Sequence, residues 1–197
     1  MNILVLVSGN GTTLQALIDA EKAGFLQPGH IAAVIADRPA YALERAGAAG
    51  IRASLEAPDK GLPLEARRRE LSDRLLEAAR NAGAQLIILA GFLSILKGEI
   101  LSAYEGRIIN IHPSLLPQYG GPGMYGERVH RAVLAAGEGE SGCTVHLVDS
   151  GTDTGAILLR RKVPVLPGDT ADSLAERIHK EEHIAIVVAA GLMARTL

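Results

Sequence analysis

Asn2-Ile3-Leu4-Val5-Leu6-Val7-Ser8-Gly9-Asn10-Gly11-Thr12-Thr13-Leu14 reads as an unbroken apolar run, a turn of small polar residues, and the start of a segment with helical spacing. The run carries no basic leader and is too short for a signal peptide's apolar stretch or a membrane span, so it predicts a buried first strand. Beyond the turn, Leu14, Leu17 and Ile18 share one helix face. Similar apolar runs, bounded by Gly, Asp and Pro, recur at 31–36, 86–90, 107–111, 143–148 and 156–163, with helical spacing between them. Leu71, Leu75 and Leu76 line one face of the charged helix before the third run, and crossovers of this kind suit parallel strands. A final long helix is expected to open at Asp169 or Thr170 as N-cap, after Pro167-Gly168, and to bury Leu174, Ile178 and the apolar 184–193 stretch. The expected architecture is one α/β domain over residues 1–197, a mostly parallel twisted sheet with helices on both faces.

Composition narrows the partners. The chain has 197 residues, enough for one full core and a cleft at the edge of a sheet. Hydrophobic residues make up 48% and charged residues 21%, as in an ordinary globular protein. A net charge of -2 supplies no bulk field for a polyanion, so neither nucleic acid nor membrane is an expected partner. The single cysteine, Cys143, lies in an apolar strand run and reads as an inert small hydrophobe; the cytoplasm fits best. The oligomeric state stays open, a homodimer included.

Four stretches carry candidate chemistry. After the first strand, the backbone N–H groups of Ser8–Thr13 and the dipole of the following helix can converge on an anion. Leu14 stands where a dinucleotide fingerprint has its third glycine, and no Gly-Lys-Ser/Thr follows, so a monophosphate fits better than NAD or ATP. The same glycines would also serve a tight turn without any ligand. In Asn110-Ile111-His112-Pro113-Ser114-Leu115-Leu116-Pro117, period-two alternation sets Asn110 and His112 on one side of a strand end that Pro113 stops. An amide donates to an oxyanion, and an imidazole gives or takes a proton near neutrality. The competing use is a strand cap and a turn.

Asp149-Ser150-Gly151-Thr152-Asp153-Thr154-Gly155 offers a carboxylate that would raise the His112 pKa and orient its ring; Asp153 is preferred, though spacing alone does not separate it from Asp149, and an Asx-turn is the other use. The run Gln118–Gly126, with four Gly and one Pro, predicts a loop. His179 and His183 have metal-pair spacing, but no third ligand accompanies them, so no metal is expected and a solvated helix face is the better account. His130 and His146 stay divided between packing and the cleft.

Together, Ser8-Gly9-Asn10-Gly11-Thr12, Ala90-Gly91-Phe92-Leu93-Ser94-Ile95-Leu96, the Asn110–Pro117 run, Asp149–Gly155 and Glu182-His183 resemble the folate-dependent phosphoribosylglycinamide formyltransferases, in that family's order. The Asn110–Pro117 motif is shared by a wider superfamily that includes methionyl-tRNA formyltransferase and formyltetrahydrofolate hydrolase. Those carry an extra domain for which 197 residues leave no room. The resemblance implies a Rossmann-like formyltransferase fold, 10-formyltetrahydrofolate as co-substrate and glycinamide ribonucleotide as acceptor, with no metal. It implies Asn110, His112 and Asp153 as catalytic residues and Gly11, Thr12 and Thr13 on the ribonucleotide phosphate. Glu182 would bind the ribose hydroxyls, and Phe92, Leu93, Ser94, Ile95 and Leu96, with Asn110, would line the folate site. The phosphate site falls in the N-terminal half, the folate site and catalytic residues toward the C-terminal half. Thr13 stands where many members have Asn, Ser94 where many have Arg, and the Gly120–Gly126 loop is longer than in the best-known members.

The mechanism implied is attack of an amine on the formyl carbon, with Asn110 and a protonated His112 at the oxyanion and Asp153 keeping that imidazole charged. The rivals are a hydrolase, in which water attacks the same group, and a binding module without turnover. A phosphate loop argues against the first, and the presence of all three polar residues against the second.

Overall fold

A computed structural model describes residues 1–197. In chain order its elements are β1 (Asn2–Val7), α1 (Thr12–Lys22), β2 (His30–Ala36), α2 (Ala42–Ala48), β3 (Ala53–Leu55), α3 (Leu64–Asn81), β4 (Ala84–Leu89), α4 (Glu99–Ala103), β5 (Ile108–His112), α5 (Glu127–Ala135), β6 (Glu140–Leu147), β7 (Ile157–Pro164) and α6 (Ala171–Thr196). They build one seven-stranded sheet in the order β3-β2-β1-β4-β5-β6-β7.

The alternation of side chains along β1 explains the three layers. Ile3, Val5 and Val7 enter one apolar cluster and Leu4 and Leu6 the other, all of them fully buried. A strand that is apolar at every position must be covered on both faces. Helices α1, α2, α5 and α6 cover the first face, and α3 and α4 the second, through Leu71, Leu75, Leu76 and Ile100.

Pairing is parallel from β3 to β5 and antiparallel for β5–β6 and β6–β7. The sheet is thus mostly parallel, as expected, with its last two strands antiparallel. Helix α5 packs on α6, and β6 starts at the end of the sheet where β5 stops, so the chain runs back along β5. Strand β3 has only three residues, all exposed, and leaves no apolar period in the sequence.

Thr170 is the N-cap of α6: its hydroxyl accepts the Ser173 N–H, and the Ser173 hydroxyl accepts the Thr170 N–H. Asp169 instead binds the Arg177 guanidinium. The 184–193 stretch is not wholly buried. Ala185, Ile186, Ala189 and Ala190 face the sheet, whereas Ile184, Val188 and Leu192 form an exposed stripe, because a helix lying on a sheet buries only one side. No helix is long and apolar enough to cross a membrane.

Candidate active site

Strands β2, β1, β4 and β5 end on one side of the sheet. Strand order reverses between β1 and β4, where the outgoing loops diverge and leave a crevice. The cleft there has a volume of about 920 Å³ and is lined by segments from every one of these strand ends, by the Gly121–Gly126 loop and by α6.

The 8–13 turn forms one wall. Gly11 has φ +76°, and a Cβ on it would lie 2.6 Å from the Ala42 Cβ and 2.8 Å from its Cα. Packing of α2 against the turn thus requires glycine with or without a ligand. Arg45 fastens the turn from outside, donating from Nε to the Asn10 carbonyl at 2.8 Å. Helix α1 begins at Thr12 with no side-chain cap, so its positive end and first N–H groups are available to an anion.

The segment after β4 forms the next wall. The Leu93 N–H donates to the Ser8 hydroxyl at 2.8 Å, tying this segment to the turn. The Ser94 hydroxyl donates to Asp37 Oδ2 at 2.6 Å, and Arg38 grips both oxygens of that carboxylate at 2.9 and 3.0 Å. Burial alone would raise the Asp37 pKa, but Arg38 and the hydroxyls of Ser94 and Ser8 outweigh it and hold the group below its ordinary range. Phe92 and Leu96 belong to the core below, whereas Leu93 is half exposed and offers an apolar surface.

At the centre, Asn110 and His112 share the face of β5 opposite Ile109 and Ile111, which enter the core. Antiparallel pairing sets His146 of β6 directly across from Asn110. His146 Nδ1–H donates to the Leu147 carbonyl at 2.8 Å, which leaves Nε2 to accept the Asn110 amide N–H at 3.1 Å. One amide N–H is thereby fixed and the other is left for the cleft.

His112 is buried and donates its Nε2–H to the Tyr119 carbonyl at 2.8 Å. Its Nδ1 lies 3.5 Å from Asp153 Oδ2, and the other Asp153 oxygen lies 3.6 Å from His146 Nε2. The Gly121 N–H also donates to Asp153, at 2.9 Å. Tyr119 and Asp153 are the two non-glycine residues with positive φ, 56° and 58°, so backbone strain is concentrated beside this imidazole. The Gly120 backbone fits between them: a Cβ there would stand 2.4 Å from Leu116 Cδ2 and 3.3 Å from Asp153 Cβ. The Tyr119 hydroxyl is anchored on Glu138 at 2.7 Å. Asp149 has a different task, accepting the Gly151 N–H and the Thr154 hydroxyl at 2.9 and 2.6 Å to close its own turn.

The electrostatics differ from expectation. Burial lowers the His112 pKa by more than Asp153 and the Tyr119 carbonyl raise it, so the resting imidazole is neutral at neutral pH. Burial would raise the Asp153 pKa, but the neighbouring His146, the Gly121 N–H and His112 together outweigh it and hold the carboxylate below its ordinary range. A charged resting His112, expected from the sequence, is thus replaced by a neutral base beside a fixed negative charge.

On α6, the Glu182-His183 region is not a solvated face. Glu182 is 7% exposed, and its nearest ionisable neighbour is His179 Nε2 at 3.5 Å. Burial pushes its pKa up to about 7. His179 is half exposed, and His183 has its Nε2 buried without a partner. Because the Glu182 pKa lies above its ordinary 4.5, the folded state holds this proton more tightly than the unfolded chain, and stability falls as pH rises between those values. Glu182→Gln is expected to remove that fall and to raise Tm by roughly 5 °C at pH 8 while changing little at pH 4.5. Thermal melts across pH check this, and parallel Tm curves for the two proteins would overturn it.

His146, divided by the sequence between packing and the cleft, lines the cleft. Tyr119 and Asp37 carry no local sequence signal, since Tyr119 acts through its backbone carbonyl and Asp37 through partners distant in the chain.

Residues 1–190 match the sequence profile described as formyl transferase. The phosphoribosylglycinamide formyltransferase of Escherichia coli (strain K12) is 41% identical over 184 residues, 93% of this chain and 82% of that protein. The trifunctional purine biosynthetic protein adenosine-3 of Drosophila melanogaster is 46% identical over 186 residues, and there the chain spans only 13% of the relative's length. Among solved structures, glycinamide ribonucleotide transformylase 1 from Symbiobacterium toebii superposes with a TM-score of 0.90 at 41% identity, covering 100% of this chain and 88% of that one.

Proposed function

The chain belongs to the formyl transferase family, and from that membership and the cleft we propose that it moves the formyl group of 10-formyltetrahydrofolate to the amine of glycinamide ribonucleotide, a cytoplasmic step of purine biosynthesis. The observation that carries this reading is one continuous cleft with an uncapped helix N-terminus in its wall and Asn110, His112 and Asp153 at its centre. A phosphorylated acceptor needs such an anchor and water does not, which favours transfer over hydrolysis.

Gly11, Thr12 and Thr13 hold the phosphate. Glu182 takes the ribose hydroxyls, a use that suits a buried carboxyl group whose one near neighbour, His179 Nε2, stands 3.5 Å away. Folate lies along Phe92–Leu96. The amine attacks the formyl carbon, and the carbonyl electron pair moves to oxygen, where the free Asn110 N–H stabilises it. His112 enters neutral and accepts the proton of the attacking nitrogen through water; Asp153, 3.5 Å away, stabilises the imidazolium. That proton then passes to the folate nitrogen as its bond to the formyl carbon breaks. One proton leaves one nitrogen and one arrives at the other, so the reaction balances without a covalent enzyme intermediate. Juxtaposing two substrates in one cleft supplies much of the rate.

The test is consumption of 10-formyltetrahydrofolate with and without glycinamide ribonucleotide. Formylated ribonucleotide and tetrahydrofolate are expected in equal amounts; consumption that ignores the ribonucleotide would make the protein a hydrolase.

Thr12→Glu separates the phosphate role from the structural role of the turn. A carboxylate in the first turn favours the helix dipole and repels a phosphate at the same place. The ribonucleotide KM is expected to rise at least about tenfold, with folate KM and Tm unchanged or Tm slightly higher. Steady-state kinetics with both substrates varied, alongside a melt, measure this. An unchanged ribonucleotide KM would remove the phosphate assignment.

A further inference from the structure

Tyr119 holds the imidazole at the reaction centre from a strained position. A carbonyl can only accept, so its contact with His112 Nε2 at 2.8 Å puts the ring proton on that nitrogen and leaves the Nδ1 lone pair facing Asp153, 3.5 Å away. A carboxylate acting alone would select the other tautomer, with the proton on Nδ1. The neutral ring has one N–H for two acceptors, and the Tyr119 carbonyl wins it only while it stays aimed at Nε2.

That aim is held against the backbone's own preference. Tyr119 has φ 56°, a region that disfavours any residue with a Cβ. The Ser114 hydroxyl fixes the preceding Gln118 carbonyl at 2.6 Å, so relaxation about φ would swing the Tyr119 carbonyl away from the ring. The side chain opposes this at both of its ends. Its ring packs against the core, and its hydroxyl donates to Glu138 Oε1 at 2.7 Å. A hydrogen bond to a carboxylate is roughly twice as strong as a neutral one. Glu138 lies in the turn between α5 and β6, the strand that carries His146, so the tie runs to the sheet itself. Two residues beyond Tyr119, the Gly121 N–H donates to Asp153 at 2.9 Å, so this short segment touches both members of the pair.

We infer that the Tyr119–Glu138 hydrogen bond is a positioning device that keeps His112 in its Nε2–H tautomer, and so keeps Nδ1 free to take the proton of the attacking nitrogen. The inference rests on the transfer mechanism proposed above and adds two positioning residues, neither of which lines the cleft.

Tyr119→Phe keeps the ring and removes the hydroxyl. In the whole protein kcat is expected to fall about tenfold, with both KM values within about twofold. Glu138→Ala is expected to match it, whereas Glu138→Gln, whose amide oxygen still accepts the hydroxyl, should stay within about threefold of wild type. The Tyr119→Phe/Glu138→Ala double variant should lose no more than either single one, because one bond is broken once. The ring itself reports the cause. Imidazole nitrogen NMR shifts of the substrate-free protein at about pH 8, with His112 assigned by its loss in His112→Ala, are expected to show the Nε2–H form in the wild type. Tyr119→Phe and Glu138→Ala are expected to gain a share of the Nδ1–H form. Wild-type kcat in folded Tyr119→Phe overturns the inference. So do unchanged His112 shifts in both variants, losses that multiply in the double variant, or a Glu138→Gln variant as slow as Glu138→Ala. Glu138 is a half-buried turn residue, so its variants carry the test should Tyr119→Phe fail to fold. If the wild-type protein transfers no formyl group to glycinamide ribonucleotide, the functional reading itself fails; the tautomer is measured without substrate and decides the role of Tyr119 separately.

Discussion

His112→Ala is expected to lower kcat by about two to four orders of magnitude, the usual scale for a general acid–base residue, while both KM values stay within about threefold. The imidazole is buried at the centre of the cleft, its orientation is set by the Tyr119 carbonyl, and its second nitrogen faces Asp153. No other side chain in that position accepts a proton near neutrality and then gains from a neighbouring fixed charge. Because burial lowers the His112 pKa, the acid limb of the kcat/KM profile should lie below the ordinary imidazole value of 6.5 in the wild-type protein. Residual activity in the variant should lack that limb. The substitution leaves the Tyr119 carbonyl without its donor, so a melt must accompany the kinetics. Full activity in a folded variant would sink the mechanism, and an acid limb that survives would assign it to another group.

Asn110→Ala is expected to cost about two to three orders of magnitude in kcat through loss of the oxyanion donor. The amide is held by His146 on one N–H, so the other meets the developing charge with little reorganisation. That pre-organisation makes the loss fall on turnover and not on binding. Asn110→Asp, of nearly equal shape, should be as damaging, because it turns the donor into an acceptor and sets a negative charge where the oxyanion forms. Pre-steady-state measurement of the transfer step separates chemistry from product release. A variant altered only in substrate affinity would mean that Asn110 positions ligand and stabilises no charge.

Much of the fold was legible locally. The apolar runs, the helix faces at Leu14, Leu17, Ile18 and at Leu71, Leu75, Leu76, the Thr170 cap and the common side of Asn110 and His112 depend on backbone sterics and on side-chain periods within a dozen residues. A sequence window contains all the information those features require. The strand β3 was not legible, because three exposed residues have no period to read.

By itself, then, the amino-acid order determined an α/β chain whose strand ends carry a glycine turn and an Asn-x-His pair. Tertiary structure decided which groups meet there. The antiparallel return of β6 sets His146 across from Asn110, and register between distant strands leaves no trace in either segment alone. The loop closures that bring Asp153 to His112, and leave Asp149 closing its own turn, are likewise long-range. Burial also reversed the charge state expected of His112 and raised the Glu182 pKa, since desolvation depends on everything packed around a group and not on its neighbours in the chain.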